Sequence, residues 1–326
     1  MHTQNLPFKY PSKPTPHSLP SNLLLTFPSM APASALRFPK TVCVMDASGT
    51  LAASLTDRLL QRGYTVHAAT VRPGELKRLS GDENNKRLKV FAWDPFDFES
   101  IVDALTGCSG LFYSFEHQRL SYDELAAEEE VRAAHNVLEA CARTETMERV
   151  VFSSSITAVV WSENRKSMAD IDERRWSNPS FCRKFKLWHA LAKTVSEKAA
   201  WALAMDRGVD MVSINAGLLM GPDLSLSSPY LKGAAEMYED GTLVAVDLKY
   251  LVDAHVCVFE SPSAYGRYLC FNHVISSPED ALGLARVLSP DMPFTPSSED
   301  LRLSKQRIQN RKLNKLMMEI SSGEVL

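Results

Sequence analysis

The chain has no closely spaced cysteines: Cys43, Cys108, Cys141, Cys182, Cys257 and Cys270 are scattered along 326 residues. That spacing suits neither a CxxC-type zinc site nor a dense disulfide framework, and it favours a reducing compartment, the cytoplasm. No apolar run approaches the roughly 20 residues of a membrane-spanning helix, so no membrane partner is expected. A net charge of −3 gives no electrostatic footing for nucleic acid. The acidic run Glu128–Glu130 has no histidine at ligand spacing, so it reads as a solvated helix face and no metal is expected. The first forty residues lack acidic side chains altogether and hold eight prolines. They read as a disordered leader, residues 1–40. Arg37 is the only arginine there, which weighs against a transit peptide, and Met30 offers a second start just before the first strand.

What is present is an alternation of strands and helices, with 45% hydrophobic residues to supply a core. Thr41–Met45 is a short β-branched run, the pattern of a buried parallel strand. Leu51, Leu55 and Leu59 then share one face of a helix over Thr50–Arg62, stopped by Gly63. The turn between them is Asp46-Ala47-Ser48-Gly49-Thr50-Leu51-Ala52, and a strand, a tight turn and a helix N-terminus make a pyrophosphate site. Tyr64–Val71 reads as a second strand, ending at Arg72. A carboxylate at that point binds ribose hydroxyls in NAD-preferring folds, whereas a cation accommodates a 2′-phosphate. Arg72, with Lys77 and Arg78 close behind, therefore favours NADP(H); the alternative is a solvated strand-end cation. Further strands are expected at Leu88–Trp93, Gly110–Phe115, Arg149–Phe152 and Gly208–Asn215. Asp97 caps a short helix reaching Gly107. A longer helix over Tyr122–Arg143 turns Leu125, Val131, Val137 and Leu138 towards a core.

Lys186–Trp201, KLWHALAKTVSEKAAW, is the stretch with chemistry. Leu187, Leu191, Val195 and Ala199 recur every four residues, as in an amphipathic helix. His189 and Lys193 stand one turn apart on a neighbouring face, where the ammonium biases the imidazole towards neutrality. Spacing alone also fits a solvated helix face. Upstream, Ser153-Ser154-Ser155 ends a strand, at the edge where open α/β sheets bind ligands.

This stretch resembles the active-site helix of extended short-chain dehydrogenases/reductases, and is most similar to their cinnamoyl-CoA reductase-like plant subgroup, related to dihydroflavonol reductases. Those enzymes carry Tyr-x-x-x-Lys followed by Glu-x-Ala-Ala-Trp. Here the lysine is Lys193, the ending is Glu197–Trp201, and His189 holds the tyrosine position. The resemblance runs from about Thr41 to Leu316. It implies an α/β fold, a Rossmann-type doubly wound parallel sheet with a smaller C-terminal substrate lobe. Residues 41–222, with 246–270 packed on them, would bind NADP(H), and 223–326 would mainly build the lobe. It further implies Ser155, His189 and Lys193 as the catalytic set, with a phenylpropanoid-type carbonyl or CoA thioester as the small-molecule substrate. The cofactor would be held by Ala47, Ser48, Gly49, Thr50, Leu51, Arg72, Lys77, Asp94, Pro95, Phe115, Lys193, Ala216, Gly217 and Leu218.

The chain departs from the family pattern at four points of that site. Met45-Asp46 replaces Thr-Gly in the glycine turn, Phe115 replaces a small residue, Ala216 replaces proline, and His189 replaces tyrosine. An Asp46 carboxylate about 5 Å from a pyrophosphate would cost roughly 3 kcal/mol at an effective dielectric near 20. Two functions are therefore weighed: an NADP(H)-dependent reductase with His189 as the proton donor, and a non-catalytic dinucleotide-binding or sensing protein on the same fold. His255 is expected to be structural, and the oligomeric state is left open.

Overall fold

The computed structural model describes residues 40–47, 49–71, 86–115, 122–167, 170–289 and 305–322. Its main sheet is built from β1 (Thr41–Met45), β2 (Thr65–Thr70), β3 (Leu88–Ala92), β4 (Gly110–Tyr113), β5 (Arg149–Ser155), β6 (Met211–Ala216) and β9 (Gly266–Cys270). All neighbours pair in parallel, in the order β3-β2-β1-β4-β5-β6-β9. Every strand thus delivers its carboxyl end to one edge. The order reverses between β1 and β4, which opens a crevice there. A second sheet, in the order β10-β8-β7, is made by β7 (Leu218–Met220), β8 (Val244–Asp247) and β10 (His273–Val274).

Parallel strands buried on both faces need helices on both. On one face α1 (Thr50–Gln61), α8 (Leu248–Glu260) and α10 (Arg311–Ser322) share a core with Val42, Val44, Phe112 and Ile214. On the other, α2 (Phe98–Leu105), α3 (Glu124–Arg143) and α6 (Trp188–Arg207) enclose Met45, Leu111, Tyr113 and Phe152. A third apolar cluster joins α4 (Thr157–Val160) and α5 (Pro179–Lys184) to the small sheet, with contributions from α7 (Ala234–Glu239) and α9 (Pro278–Leu288). Short polar side chains start the helices as their N-cap role requires: Asp97 accepts from the Glu99 amide and Asp123 from that of Ala126, while Ser277 and Asp280 form a capping box.

Several boundaries differ from the sequence reading, each for a local reason. β5 runs on through the serines to Ser155, because β6 pairs with it as far as Ala216. β4 stops at Tyr113, two residues short of Phe115. Gly208, read as the start of a strand, instead closes α6 in the left-handed conformation at φ 70°, so β6 begins only at Met211. In α3, Val137 and Leu138 are buried as expected, but Leu125 is 48% exposed and Val131 half-buried. The buried stripe runs instead through Ala126, Ala133 and Ala134, small enough to let α6 lie close alongside. Among the described residues, no helix is long and apolar enough to cross a membrane, and no cluster of metal-ligating side chains occurs.

Candidate active site

At the edge where the carboxyl ends gather, the three serines ending β5 go to three different partners. Ser153 Oγ lies 2.8 Å from His255 Nε2 on α8, and Ser154 donates to Glu197 Oε2 at 2.8 Å. Ser155 accepts from the Thr157 amide at 3.2 Å and from the Thr157 hydroxyl at 3.0 Å. Two of the serines therefore serve the packing of the sheet, and Ser155 is the one tied to the helix-borne groups. His255 is fully buried and its Nδ1 lies 2.8 Å from the Leu251 carbonyl, which is the structural role expected of it.

α6 approaches Ser155 from the side. Lys186, at φ 53°, makes a tight reversal after α5, so that Leu187 caps α6 and His189 falls in its first turn. His189 Nδ1 lies 3.1 Å from the Thr157 hydroxyl, so Thr157 bridges Ser155 and His189. The Tyr122 ring stands edge-on to the imidazole at 5.3 Å, and the Tyr230 ring lies 6.4 Å away. Burial first, and then the charge of Lys193, pull the His189 pKa down to about 3. The imidazole is therefore neutral at physiological pH, as the neighbouring lysine led us to expect. A neutral imidazole still offers one N–H donor and one lone pair, but no positive charge.

Lys193, one turn further on, is buried and donates to Glu130 Oε1 at 2.8 Å and to the Phe115 carbonyl at 2.7 Å. The expectation that Glu128–Glu130 forms a solvated face fails at its last residue: Glu130 is 2% exposed. Its position explains why. Glu130 follows Ala126 by four residues and precedes Ala133 by three, so it sits within the stripe that faces α6. Ser196 also donates to its Oε1, at 3.1 Å, while its Oε2 has no hydrogen-bond partner among the described residues.

A second buried ion pair supports the serine strand from behind. Glu197, with no exposed surface, takes hydrogen bonds from Ser154, Ser213 and Asn215 and from Arg267 Nε at 2.8 Å. Arg267 belongs to β9 and stacks its guanidinium 3.6 Å over the Trp176 ring. Such a pair is tolerable in a core because every oxygen of the carboxylate is satisfied.

Asp46 takes a left-handed conformation at φ 57°, the role usually given to glycine. Ala47 donates to the Ala69 carbonyl at 2.9 Å, and Gly49 caps α1 with no side-chain hydrogen bond. Thr50 and Leu51 open the helix, and its first turn carries no acidic residue. The backbone amides that open the helix suit a phosphate. The Thr50 hydroxyl donates to Asp223, a carboxylate that arrives from the segment after β7. The Phe115 ring packs against the core cluster of α2 and α3, so its carbonyl, not its ring, is what meets Lys193. Asp94 is exposed and accepts from the Phe96 amide, while Asn136 holds the Pro95 carbonyl. Ala216 accepts from the Ile156 amide at the end of β6. Gly217 lets β8 pass: a Cβ there would meet the Val244 carbonyl oxygen at 2.9 Å. Leu218 then opens β7. Ser48, Arg72 and Lys77 lie outside the described residues.

The contacts made by Thr157, Glu130, Glu197 and Arg267 were not foreseen from the sequence, although Glu197 stood in the family ending and Glu130 in the acidic run. Only Glu130 had a usable signal, an acid on an alanine stripe; the others are joined to their partners by topology.

A family model described as NAD(P)H-binding matches residues 47–199. Cinnamoyl-CoA reductase 1 of Petunia hybrida is 34% identical over 298 residues, covering 86% of this chain and 88% of the relative. Vestitone reductase from alfalfa (Medicago sativa) superposes with a TM-score of 0.67 at 24% identity, over 85% of this chain and 91% of its own. The yeast methylglyoxal/isovaleraldehyde reductase Gre2, complexed with NADPH, superposes with a TM-score of 0.66 at 19% identity, over 85% and 93%.

Proposed function

This chain belongs to the cinnamoyl-CoA reductase-like family of extended short-chain dehydrogenases/reductases, and from that premise we propose that it is an NADP(H)-dependent reductase of a phenylpropanoid-type carbonyl or CoA thioester. The observation that carries the reading is the convergence of Ser155, His189 and Lys193 with the uncapped start of α1 on one edge of the sheet. NADPH, when bound, supplies a hydride to the carbonyl carbon. Its pyrophosphate would rest at the start of α1, held by Ala47, Ser48, Gly49, Thr50, Leu51 and Phe115. Arg72 and Lys77 would take the 2′-phosphate, Asp94 and Pro95 would flank the adenine, and Ala216, Gly217 and Leu218 would line the nicotinamide.

The rest is done by the chain's own groups. The Ser155 hydroxyl is directed by its two bonds from Thr157 and can donate to the carbonyl oxygen, fixing it and drawing charge onto it as the hydride arrives. His189 is neutral, so it acts by hydrogen bonding and not by carrying a positive charge. Lys193 would hold the nicotinamide ribose, while Glu130 balances its charge in a buried site.

The test is turnover. Purified protein with NADPH should reduce a hydroxycinnamoyl-CoA or a hydroxycinnamaldehyde, and His189→Phe should abolish it. One observation favours a second reading, a dinucleotide-binding sensor: the Lys193 ammonium is already held by Glu130 and the Phe115 carbonyl. NADPH binding without turnover on any such substrate would prefer that reading.

A further inference from the structure

We propose that Thr157 is a positioning residue that links His189 to Ser155, so that the proton for the substrate oxygen is delivered by Ser155 and replaced along Thr157 from His189. The proposal rests on the reductase reading above and concerns how its site moves a proton without a tyrosine.

The polarity of the chain of bonds follows from counting donors and acceptors. Ser155 Oγ accepts both the amide and the hydroxyl of Thr157, which leaves its own O–H to donate. The Thr157 hydroxyl spends its proton on Ser155, so towards His189 Nδ1, 3.1 Å away, it can only accept. Nδ1 therefore carries the imidazole proton, and Nε2 presents a lone pair. Thr157 is well held for this task. It is 2% exposed, its amide bonds Ser155, and its carbonyl accepts from the Ser177 hydroxyl at 2.7 Å.

The relay answers a shortfall in reach. An imidazole ring nitrogen stops roughly 2 Å short of where a tyrosine hydroxyl would stand, and proton transfer needs about 2.6–3.2 Å between heavy atoms. Two hydroxyls in series span that gap. The bonds balance as follows. Hydride adds to the carbonyl carbon, and the C=O π pair moves to oxygen. That oxygen takes the Ser155 hydroxyl proton, Ser155 takes the proton of Thr157, and Thr157 takes the proton on His189 Nδ1. His189 takes a proton from water at Nε2, so it passes from one neutral tautomer to the other. No imidazolium forms, which agrees with the depressed basicity of this half-buried ring. Among the described residues, the groups facing it are Lys193 on its own helix and the rings of Tyr122 and Tyr230. The Tyr230 hydroxyl is engaged with the Val244 carbonyl. The rate should accordingly lack an imidazole-like inflection between pH 5 and 8.

The test uses Thr157→Val, which keeps the shape and removes the hydroxyl, and Thr157→Ser, which keeps the hydroxyl. In 15N spectra of the full chain without substrate, wild-type His189 should be the Nδ1–H tautomer, and Thr157→Val should shift it towards Nε2–H. An unchanged tautomer overturns the link. In single-turnover reduction of hydroxycinnamaldehyde by NADPH, Thr157→Val should lose on the order of 10²-fold in rate and Thr157→Ser should restore it. The wild-type proton inventory in mixed H2O and D2O should be curved, and that of Thr157→Val linear. A Thr157→Val protein that turns over at the wild-type rate overturns the relay and leaves the reductase reading standing. A wild type that binds NADPH and reduces nothing removes the reductase reading, and the relay with it.

Discussion

Replacing Glu130 by glutamine removes one charge from a buried pair and little volume. Glu130 is 2% exposed and Lys193 7%, and their charged atoms lie 2.8 Å apart. After Glu130→Gln the ammonium still donates to the Phe115 carbonyl, but its formal counter-charge has gone. Breaking a buried pair from one side costs about 3–5 kcal/mol, because the remaining charge stays desolvated. At about 2–4 °C per kcal/mol for a large domain, the melting temperature should fall on the order of 10 °C. Thermal and urea unfolding followed by circular dichroism give the number. The double variant Glu130→Leu with Lys193→Met should recover most of the loss, since an apolar pair of similar volume carries no desolvation penalty. A loss below about 1 kcal/mol for Glu130→Gln would place the pair with solvated surface bridges and refute its burial.

Asp46→Gly should tighten NADPH binding on the order of tenfold or more, by removing a carboxylate near the pyrophosphate cradle and relaxing a left-handed aspartate at φ 57°. Calorimetry showing unchanged affinity would mean that the carboxylate points away. Arg72→Ala should weaken NADPH more than NADH, and equal weakening of both would show that Arg72 does not read the 2′-phosphate. Acid should destabilise the fold through His255, which burial lowers to about 4 from the 6.5 of a free imidazole. As pH falls, the unfolded chain takes up this proton first, so stability present above about 6.5 is lost down to about 4, by up to about 1.4 kcal/mol per pH unit. Melts from pH 7 to 4 should show a shallower loss for His255→Gln, with the remaining slope shared by His67 and His189; an unchanged slope would contradict the assignment.

The strand, turn and helix of the cradle were legible in the sequence, because a β-branched run, an uncapped turn and leucines at helical spacing are all local signals. The pairing of His189 with Lys193 needed only the helical period. What could not be read were contacts made by topology. Glu197 meets Arg267 across 70 positions of sequence, and Glu130 meets Lys193 across 63. Thr157 looked like an ordinary residue after a serine run, and only the docking of α6 beside β5 gives it a partner. Leu125 misled because apolar spacing in the first turn of α3 was taken for a core face, while the face was set by small residues that admit a neighbouring helix.

The central claim is that the edge carrying the cradle and Lys193 is a working nicotinamide dinucleotide site. The most direct measurement is a calorimetric titration of the chain with NADPH, repeated on Lys193→Met. The account predicts one site per chain, with affinity reduced in the variant because the ammonium proposed to hold the nicotinamide ribose is gone. No binding to the wild type, or binding that Lys193→Met leaves untouched, would contradict it.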